Sequence, residues 1–279
     1  MKKALGSFKF HFLMIIFGFL MLYPIIWVIM SSFKLNSTIF ISSYSLIPTK
    51  WDIVNNYVTG WKGIAGVSFG KMLVNTFIVA GVGTICGVFF SVVAAYAFAR
   101  LKFPGSNFWF TCVMLTLLIP NQVMVVPQYI IFKSLGMVNH LSALIAPWFF
   151  GNAFFIFLTI QFMRGLPISL DEAAKIDGCN LVTTFTKIIL PLVRPAIITS
   201  FIFSFYWMWQ DFFQPLIFMS DPHNYTVSLA LNAFLDPSSN SNYGAMFAMS
   251  VVSIIPVVVI FLFFQKYLVE GIATTGLKD

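Results

Sequence analysis

Six apolar runs constrain this chain more than any other feature. They lie at about 12–32, 72–99, 107–132, 141–163, 195–219 and 244–264. About 20 mostly apolar residues cross a bilayer core, and the backbone polar groups there must be satisfied inside the segment. The expected fold class is therefore all-α integral membrane, with six transmembrane helices. Composition agrees: 59% of residues are hydrophobic and 9% are charged, whereas soluble domains carry about 25% charge. Gly, Pro and polar residues interrupt the third and fifth runs, so their edges are the least defined. No repeat or linker divides the chain, which predicts one transmembrane domain over 1–279.

The first run follows Lys2, Lys3 and Lys9. Its length of about 19 residues exceeds the roughly 7–15 of a signal-peptide core. Ser31-Ser-Phe-Lys-Leu-Asn follows it, with no small-x-small cleavage site. An uncleaved first helix is expected. Lys and Arg then set the orientation, because positively charged loops stay in the cytoplasm. With the N-terminus inside, eleven of the sixteen Lys and Arg fall on the cytoplasmic side. Six spans return the C-terminus to that side. The net charge of +7 comes without a basic patch interleaved with aromatics, so the basic residues fit a membrane surface and lipid, not nucleic acid. Cys86, Cys112 and Cys179 stand far apart and suggest neither a disulfide framework nor a zinc site. Outside, 33–70 carries Trp51, Tyr57 and Trp61, suited to the membrane interface. Asp221-Pro-His-Asn-Tyr and Asp236-Pro-Ser-Ser-Asn read as turns.

Against this background one polar island stands out. Arg164, Asp171, Glu172, Lys175, Asp177, Lys187 and Arg194 crowd the stretch 164–194, which the orientation makes cytoplasmic. Ser169-Leu-Asp-Glu172 matches a capping box, in which Ser169 accepts from the Glu172 amide and Glu172 reaches back. Asp171 and Glu172 suit the positive end of a helix dipole. Gly178 offers a left-handed stop. A second helical stretch is expected near 181–190, with Pro191 and Pro195 bracketing the return to the membrane. A helix of about two turns is marginal alone, so it packs against something. Ala173 and Ala174 allow close approach. Two readings stand at this point: a capped helix that stiffens a loop, and a docking element for an aqueous partner.

Glu172-Ala-Ala-Lys-Ile-Asp-Gly178, followed by Ile189-Leu-Pro191 and Pro195, resembles the EAA loop of ABC importer permeases. The stretch from Leu166-Pro to Leu190-Pro191 is similar to the MalG-like branch, the inner-membrane subunits of carbohydrate importers. The likeness extends to Leu46-Ile-Pro48 with Asn56-Tyr57, Ala95-Tyr-Ala-Phe-Ala-Arg100, Ile119-Pro120 with Val126-Pro127-Gln-Tyr129, Leu135-Gly136, and Gln265-Lys-Tyr-Leu-Val269 with Gly271. It implies a MetI-like permease fold. It also implies that the short helix is a coupling helix in the cleft of a cytoplasmic ATPase subunit. Ser169, Asp171 and Asp177 would belong to this element. Glu172 would be its main polar contact, Ala173 and Ala174 its packing surface, and Gly178 its break. Cys179 stands where the family often has Ala. The implied partners are a second, MalF-like permease, two ABC ATPase subunits that hold ATP and Mg, and an extracytoplasmic sugar-binding protein. The implied location is the bacterial cytoplasmic membrane.

This chain has no Gly-x-x-x-x-Gly-Lys-Ser/Thr; the run Gly66-Val-Ser-Phe-Gly70-Lys71-Met72 has the wrong spacing. It is therefore expected to hold no ATP and no cofactor itself, and to be a transport subunit rather than an enzyme. His11, His140 and His223 are scattered, with no metal-binding spacing.

Within the spans, Gly83, Gly87, Ser91, Ala95 and Ala99 recur every four residues, a stride that lets helix backbones approach. Packing inside the bundle and subunit dimerisation are both open. Pro120 and Pro127 break the third run, beside Asn121, Gln122 and Gln128. Asn152 falls near the middle of the fourth. Gln210-Asp211 interrupts the fifth, and Asp211 is the only acid well inside a span. Counted along straight helices at 1.5 Å per residue, Pro120 and Gln210 both sit roughly 20 Å up. Asn121, Gln122, Asn152, Gln210 and Asp211 are thus candidates to ring one polar cavity, with Trp207 and Trp209 as stacking faces. Helix–helix hydrogen bonding is the plainer account of the same residues. A secondary transporter with Asp211 as proton site is the other transport reading, but it commonly shows repeated halves, which are absent. A membrane enzyme would need a catalytic cluster that the sequence does not offer.

Overall fold

The computed structural model describes residues 2–41, 44–235 and 241–276, and the side chains of 10–41, 44–235 and 241–267. The expected turn at Asp236-Pro-Ser-Ser-Asn and Lys278 lie outside the described residues. The described residues form helices and turns, and two units emerge: Met1–Lys71 with Leu229–Ile255, and Met72–Ser228 with Pro256–Asp279.

In the first unit, α1 (Lys2–Ser31) is apolar on every side over Phe12–Met30, and an 18-residue window within Phe10–Ser31 is 0% buried within the chain. A helix of this kind faces lipid or another chain. The loop after it is ordered by polar anchors. Asn56, in α2 (Ile53–Lys62), donates through Nδ2 to Ser32 O (2.9 Å) and Lys34 O (2.8 Å). Asn36 Nδ2 donates to Ser241 O (3.1 Å), and its Oδ1 accepts from Gly244 N (3.2 Å). Trp51 and Trp61 stay half exposed, as interface anchors do.

The second unit begins within α3 (Phe69–Arg100) and continues with α4 (Ser106–Thr116), α5 (Asn121–Ser134), α6 (Ser142–Ile145), a 3-10 turn (Ala146–Phe150) and α7 (Ala153–Arg164). Then come α8 (Ser169–Ile176), α9 (Leu181–Thr183), a π-helical stretch (Thr184–Ile189) and α10 (Leu190–Leu192). α11 (Arg194–Gln210), α12 (Phe213–Phe218) and the start of α13 (Val227–Ala233) follow, and α14 (Tyr243–Gly276) returns to this unit in its second half. Its core joins Val88, Val92, Ala95 and Tyr96 of α3 to Ile156, Ile160 and Met163 of α7, and to Ile189 and Val193.

Among the described residues, four helices are long and apolar enough to cross a membrane, or up to six spans if each of two bent pairs counts as one. The third run is not a single helix: α4 and α5 meet at 100°. Leu117, Leu118 and Ile119 close tight turns onto Met114, Leu115 and Thr116, and Pro120 is extended (ψ 131°) with no amide to continue the ladder. The straight-helix depth count therefore fails for Pro120. The fifth run ends its helix at Gln210, ahead of α12. Its start is a 75° bend from the 181–192 segment at Val193, beside Pro195. The fourth breaks at Gly151, whose φ of +76° favours glycine and whose added Cβ would lie 3.3 Å from Ser91 N.

The small-residue stripe of α3 serves packing inside this unit. A Cβ on Gly83 would lie 2.0 Å from Met208 Cε, and one on Gly87 2.7 Å from Trp148 Cε3. Ser91 Oγ accepts from Asn152 N at 2.8 Å, and Ala95 is fully buried.

Candidate functional site

The three breaks open onto one cavity of about 610 Å³, a size that suits a small ligand. Asn121, Gln122, Asn152, Trp207, Gln210 and Asp211 all line it. Asn121 and Gln122 enter it because α5 starts afresh after Pro120. Asn152 caps α7: its Oδ1 accepts from Phe154 N at 3.0 Å. Asp211 is likewise engaged, its Oδ1 accepting from Phe213 N (3.1 Å) and Gln214 N (3.3 Å) at the start of α12. The Asp211 carbonyl accepts from Ser228 Oγ at 2.5 Å. Both residues thus satisfy backbone groups that the breaks expose.

Trp207 walls the cavity and stacks one face on Phe155, centroids 5.2 Å apart and 22° between planes. Trp209 does not join it. Two residues along a helix is a turn of about 200°, so Trp209 points away, buried against Phe205 (5.4 Å) and Phe77 (4.8 Å). Gln128 and Gln214 also line the cavity. The ring drawn from sequence omitted both; Gln128 stands two turns after Asn121 on the same face of α5, whereas Gln214 follows the break at Asp211, across which no helical stride carries. Among the described residues, the side-chain amides of Asn121, Gln122, Gln128, Gln210 and Gln214 make no hydrogen bond within the chain. Helix–helix hydrogen bonding therefore does not account for them.

The second candidate surface is α8. The capping box is not formed. The chain is already helical at Ile168 (φ −68°, ψ −23°), and Ile168 O accepts from Asp171 N (3.0 Å) and Glu172 N (3.3 Å). Ser169 is thus the first helical residue, and its side chain cannot cap. The true side-chain cap in this region is Asn180, whose Oδ1 accepts from Thr183 N at 2.8 Å; an Asn just before an apolar run is its signal. Gly178 does stop α8. At φ +78° it closes a Schellman motif, with Cys179 N on Ala174 O (2.9 Å) and Gly178 N on Lys175 O (3.2 Å).

Helical geometry then divides the predicted residues. Ser169, Glu172, Ala173 and Ile176 follow an i, i+3, i+4, i+7 stripe and are exposed, as is Asp177. Ala174 is buried within the chain, which corrects its expected place on the outward packing surface. Asp171 also turns inward, 2.9 Å from Arg100. Ile176 is 86% exposed, and Ile168, Leu181 and Val182 nearby are exposed too. Such a polar-flanked apolar patch marks an interaction surface.

A third polar cluster fixes the loop around 219–225. Asn139 Oδ1 accepts from Ser220 N (3.1 Å) and Asp221 N (2.9 Å), and Asn75 Nδ2 donates to His223 O (2.8 Å) and Tyr225 O (3.0 Å). The His223 amide and ring beside Asp221 hold its carboxyl below the usual carboxylate range.

Comparison with known proteins adds the family. Residues 87–274 match the model of the binding-protein-dependent transport system inner membrane component. The chain is similar to the probable ABC transporter permease protein YurM of Bacillus subtilis (strain 168), 35% identical over 257 residues, covering 92% of this chain and 83% of that protein. It is also similar to the arabinooligosaccharides transport system permease protein AraQ of Halalkalibacterium halodurans, 31% identical over 264 residues, covering 94% and 92%. Its fold matches a chain of a bacterial ABC transporter involved in the import of the acidic polysaccharide alginate, with a TM-score of 0.80 at 21% identity, over 96% of this chain and 98% of that one. With broken spans around a polar cavity and a short capped helix between spans, the chain belongs to the binding-protein-dependent transport inner membrane components: it is a multi-pass permease subunit of an ABC importer, a transport subunit rather than an ATPase.

Proposed function

We propose that this chain, acting over 1–279 as one permease domain, forms half of the translocation path of a sugar or oligosaccharide importer. The observation that carries the substrate class is the cavity itself. Five side-chain amides without partners among the described residues line it beside the Trp207 indole. Amides offer both donors and acceptors to hydroxyls, and an aromatic wall covers the apolar face of a sugar ring. The similarity to an arabinooligosaccharide permease points the same way.

The other path half would come from a second, MalF-like permease chain. Two ABC ATPase subunits would hold ATP and Mg, and an extracytoplasmic sugar-binding protein would deliver the substrate. α8 is read as the coupling helix, with Ser169, Glu172, Ala173, Ile176 and Asp177 toward the ATPase and Gly178 setting its end. The N- and C-termini would be cytoplasmic, following the excess of Lys and Arg on that side. The loop around 219–225 is then extracytoplasmic and a candidate contact for the binding protein.

The test is co-purification of the tagged chain in mild detergent, as wild type and as Glu172→Ala with Gly178→Asp. Bound proteins are identified and ATP hydrolysis is assayed. A nucleotide-binding subunit and a second permease should accompany the wild type, and the double variant should lose the ATPase. A folded wild type that purifies alone, without hydrolysis under any co-expression, would overturn the reading.

A further inference from the structure

We infer that Arg100 is a positioning residue that ties α8 to α3 and so carries the motion of the coupling helix to the cavity; this rests on the reading of α8 as the ATPase-docking element. The Arg100 side chain is 3% exposed, at the last residue of α3. Nη1 lies 2.9 Å from Asp171 Oδ2 on the inward face of α8. Nη2 donates to Met163 O (2.5 Å) and Leu166 O (3.0 Å), carbonyls at the end of α7 and just beyond it. One planar guanidinium thus bridges three segments, by two hydrogen bonds to the end of α7 and an ion pair to α8. Lys has no such fork.

α8 otherwise packs against the π-helical stretch Thr184–Ile189. Ala174 is its one buried residue, and a methyl group packs without directional preference. The ion pair, by contrast, holds two opposite charges largely out of solvent, Asp171 Oδ2 having Arg100 as its charged neighbour and no hydrogen bond besides, so removing either charge leaves the other buried and is costly. From Arg100, α3 runs unbroken back to Val79, which lines the cavity. That is a rigid lever of roughly 30 Å. On the way its glycines pass under Met208 and Trp148, which also line the cavity. A displacement of α8 therefore moves the Arg100 end of α3, and α3 bears directly on the cavity wall.

The experiment uses the complex that co-purifies with the full tagged chain, with Cys86, Cys112 and Cys179 replaced by Ala and Gln122→Cys as reporter. A water-soluble maleimide measures reporter reactivity with and without ATP and vanadate, which trap the closed ATPase. In this parent, trapping should change the labelling rate by about fivefold or more. Asp171→Asn should reduce that change to less than about twofold while the ATPase stays bound and still traps nucleotide. Asp171→Glu, which keeps the charge, should restore most of it. The inference is overturned if Asp171→Asn keeps the parent response, or if Asp171→Glu is no better than Asp171→Asn. It is also overturned if Asp171→Asn sheds the ATPase, since the pair would then only support docking. If the parent does not respond, or if Glu172→Ala with Gly178→Asp still retains the ATPase, the coupling reading of α8 itself falls.

Discussion

Replacing Gly178 with Ala isolates a single physical term. The glycine sits at φ +78°, and a Cβ built on it meets no atom within 4 Å. The substitution therefore causes no clash, and its cost is the left-handed backbone alone, about 1–2 kcal/mol for a residue with a Cβ. Ala also restricts the opened chain, which offsets roughly 0.4–1 kcal/mol. A net loss of about 1 kcal/mol remains, or roughly fivefold in the closing equilibrium. It falls on the three contacts that end α8: Asp177 N to Ala173 O (2.9 Å), Gly178 N to Lys175 O (3.2 Å) and Cys179 N to Ala174 O (2.9 Å). An eight-residue helix with one buried side chain has little else to absorb the loss. Hydrogen exchange at 177–179 in the detergent-purified chain measures it directly. Exchange should rise about fivefold in Gly178→Ala, and less in Gly178→Asn, because Asn tolerates the left-handed region. Unchanged exchange in Gly178→Ala, or equal exchange in both variants, would refute the reasoning.

Two further outcomes follow from the cavity. Asp211→Asn keeps an oxygen for the Phe213 and Gln214 amides and should leave their exchange near wild type, whereas Asp211→Ala should cost about 1 kcal/mol at the start of α12; equal loss in both would mean that the charge, not the cap, matters. Gly83→Ala should displace the Met208 thioether, lowering thermal stability by about 1–3 kcal/mol, whereas Gly81→Ala, with nothing within 4 Å of its Cβ, should be neutral or stabilising; a neutral Gly83→Ala would mean that the flexible end of Met208 swings aside at no cost.

The long-range outline was legible in the sequence because it depends on composition. Twenty apolar residues announce a span whatever their neighbours are, and Gly178 announces a stop because few other residues take its φ. What failed depends on direction. Periodicity marks a helix but not its first residue, so Ser169 read as a cap when the chain was already helical one residue earlier. Ala173 and Ala174 look alike in composition, yet adjacent helix positions differ by about 100°, and only the packed surroundings decide which faces in. Pro120 signals a break but not its angle, and the 100° turn moved α5 out of the line that the depth count assumed. Arg100 reads as the end of the second helix and Asp171 as a charge at the start of the short cytoplasmic one. Nothing local couples two residues so far apart in the chain; their contact exists only once α3, α7 and α8 have packed.

The cavity follows from how a membrane chain tolerates broken helices. Each break frees backbone groups that lipid cannot satisfy, so non-helical backbone is confined to protein-lined or wet interiors. Here the polar residues at the breaks meet both demands. Asn152 and Asp211 turn their oxygens onto the freed amides of α7 and α12, while Pro120 removes an amide that would otherwise need a partner. That leaves Asn121, Gln122, Gln128, Gln210 and Gln214 with their full donor and acceptor capacity facing the cavity. The residues that make the breaks possible are therefore distinct from those free to meet a solute. The functional consequence is a division of labour: substitutions at Asn152 or Asp211 should act first through local helix order, and substitutions at the five amides should act on solute passage with the fold intact.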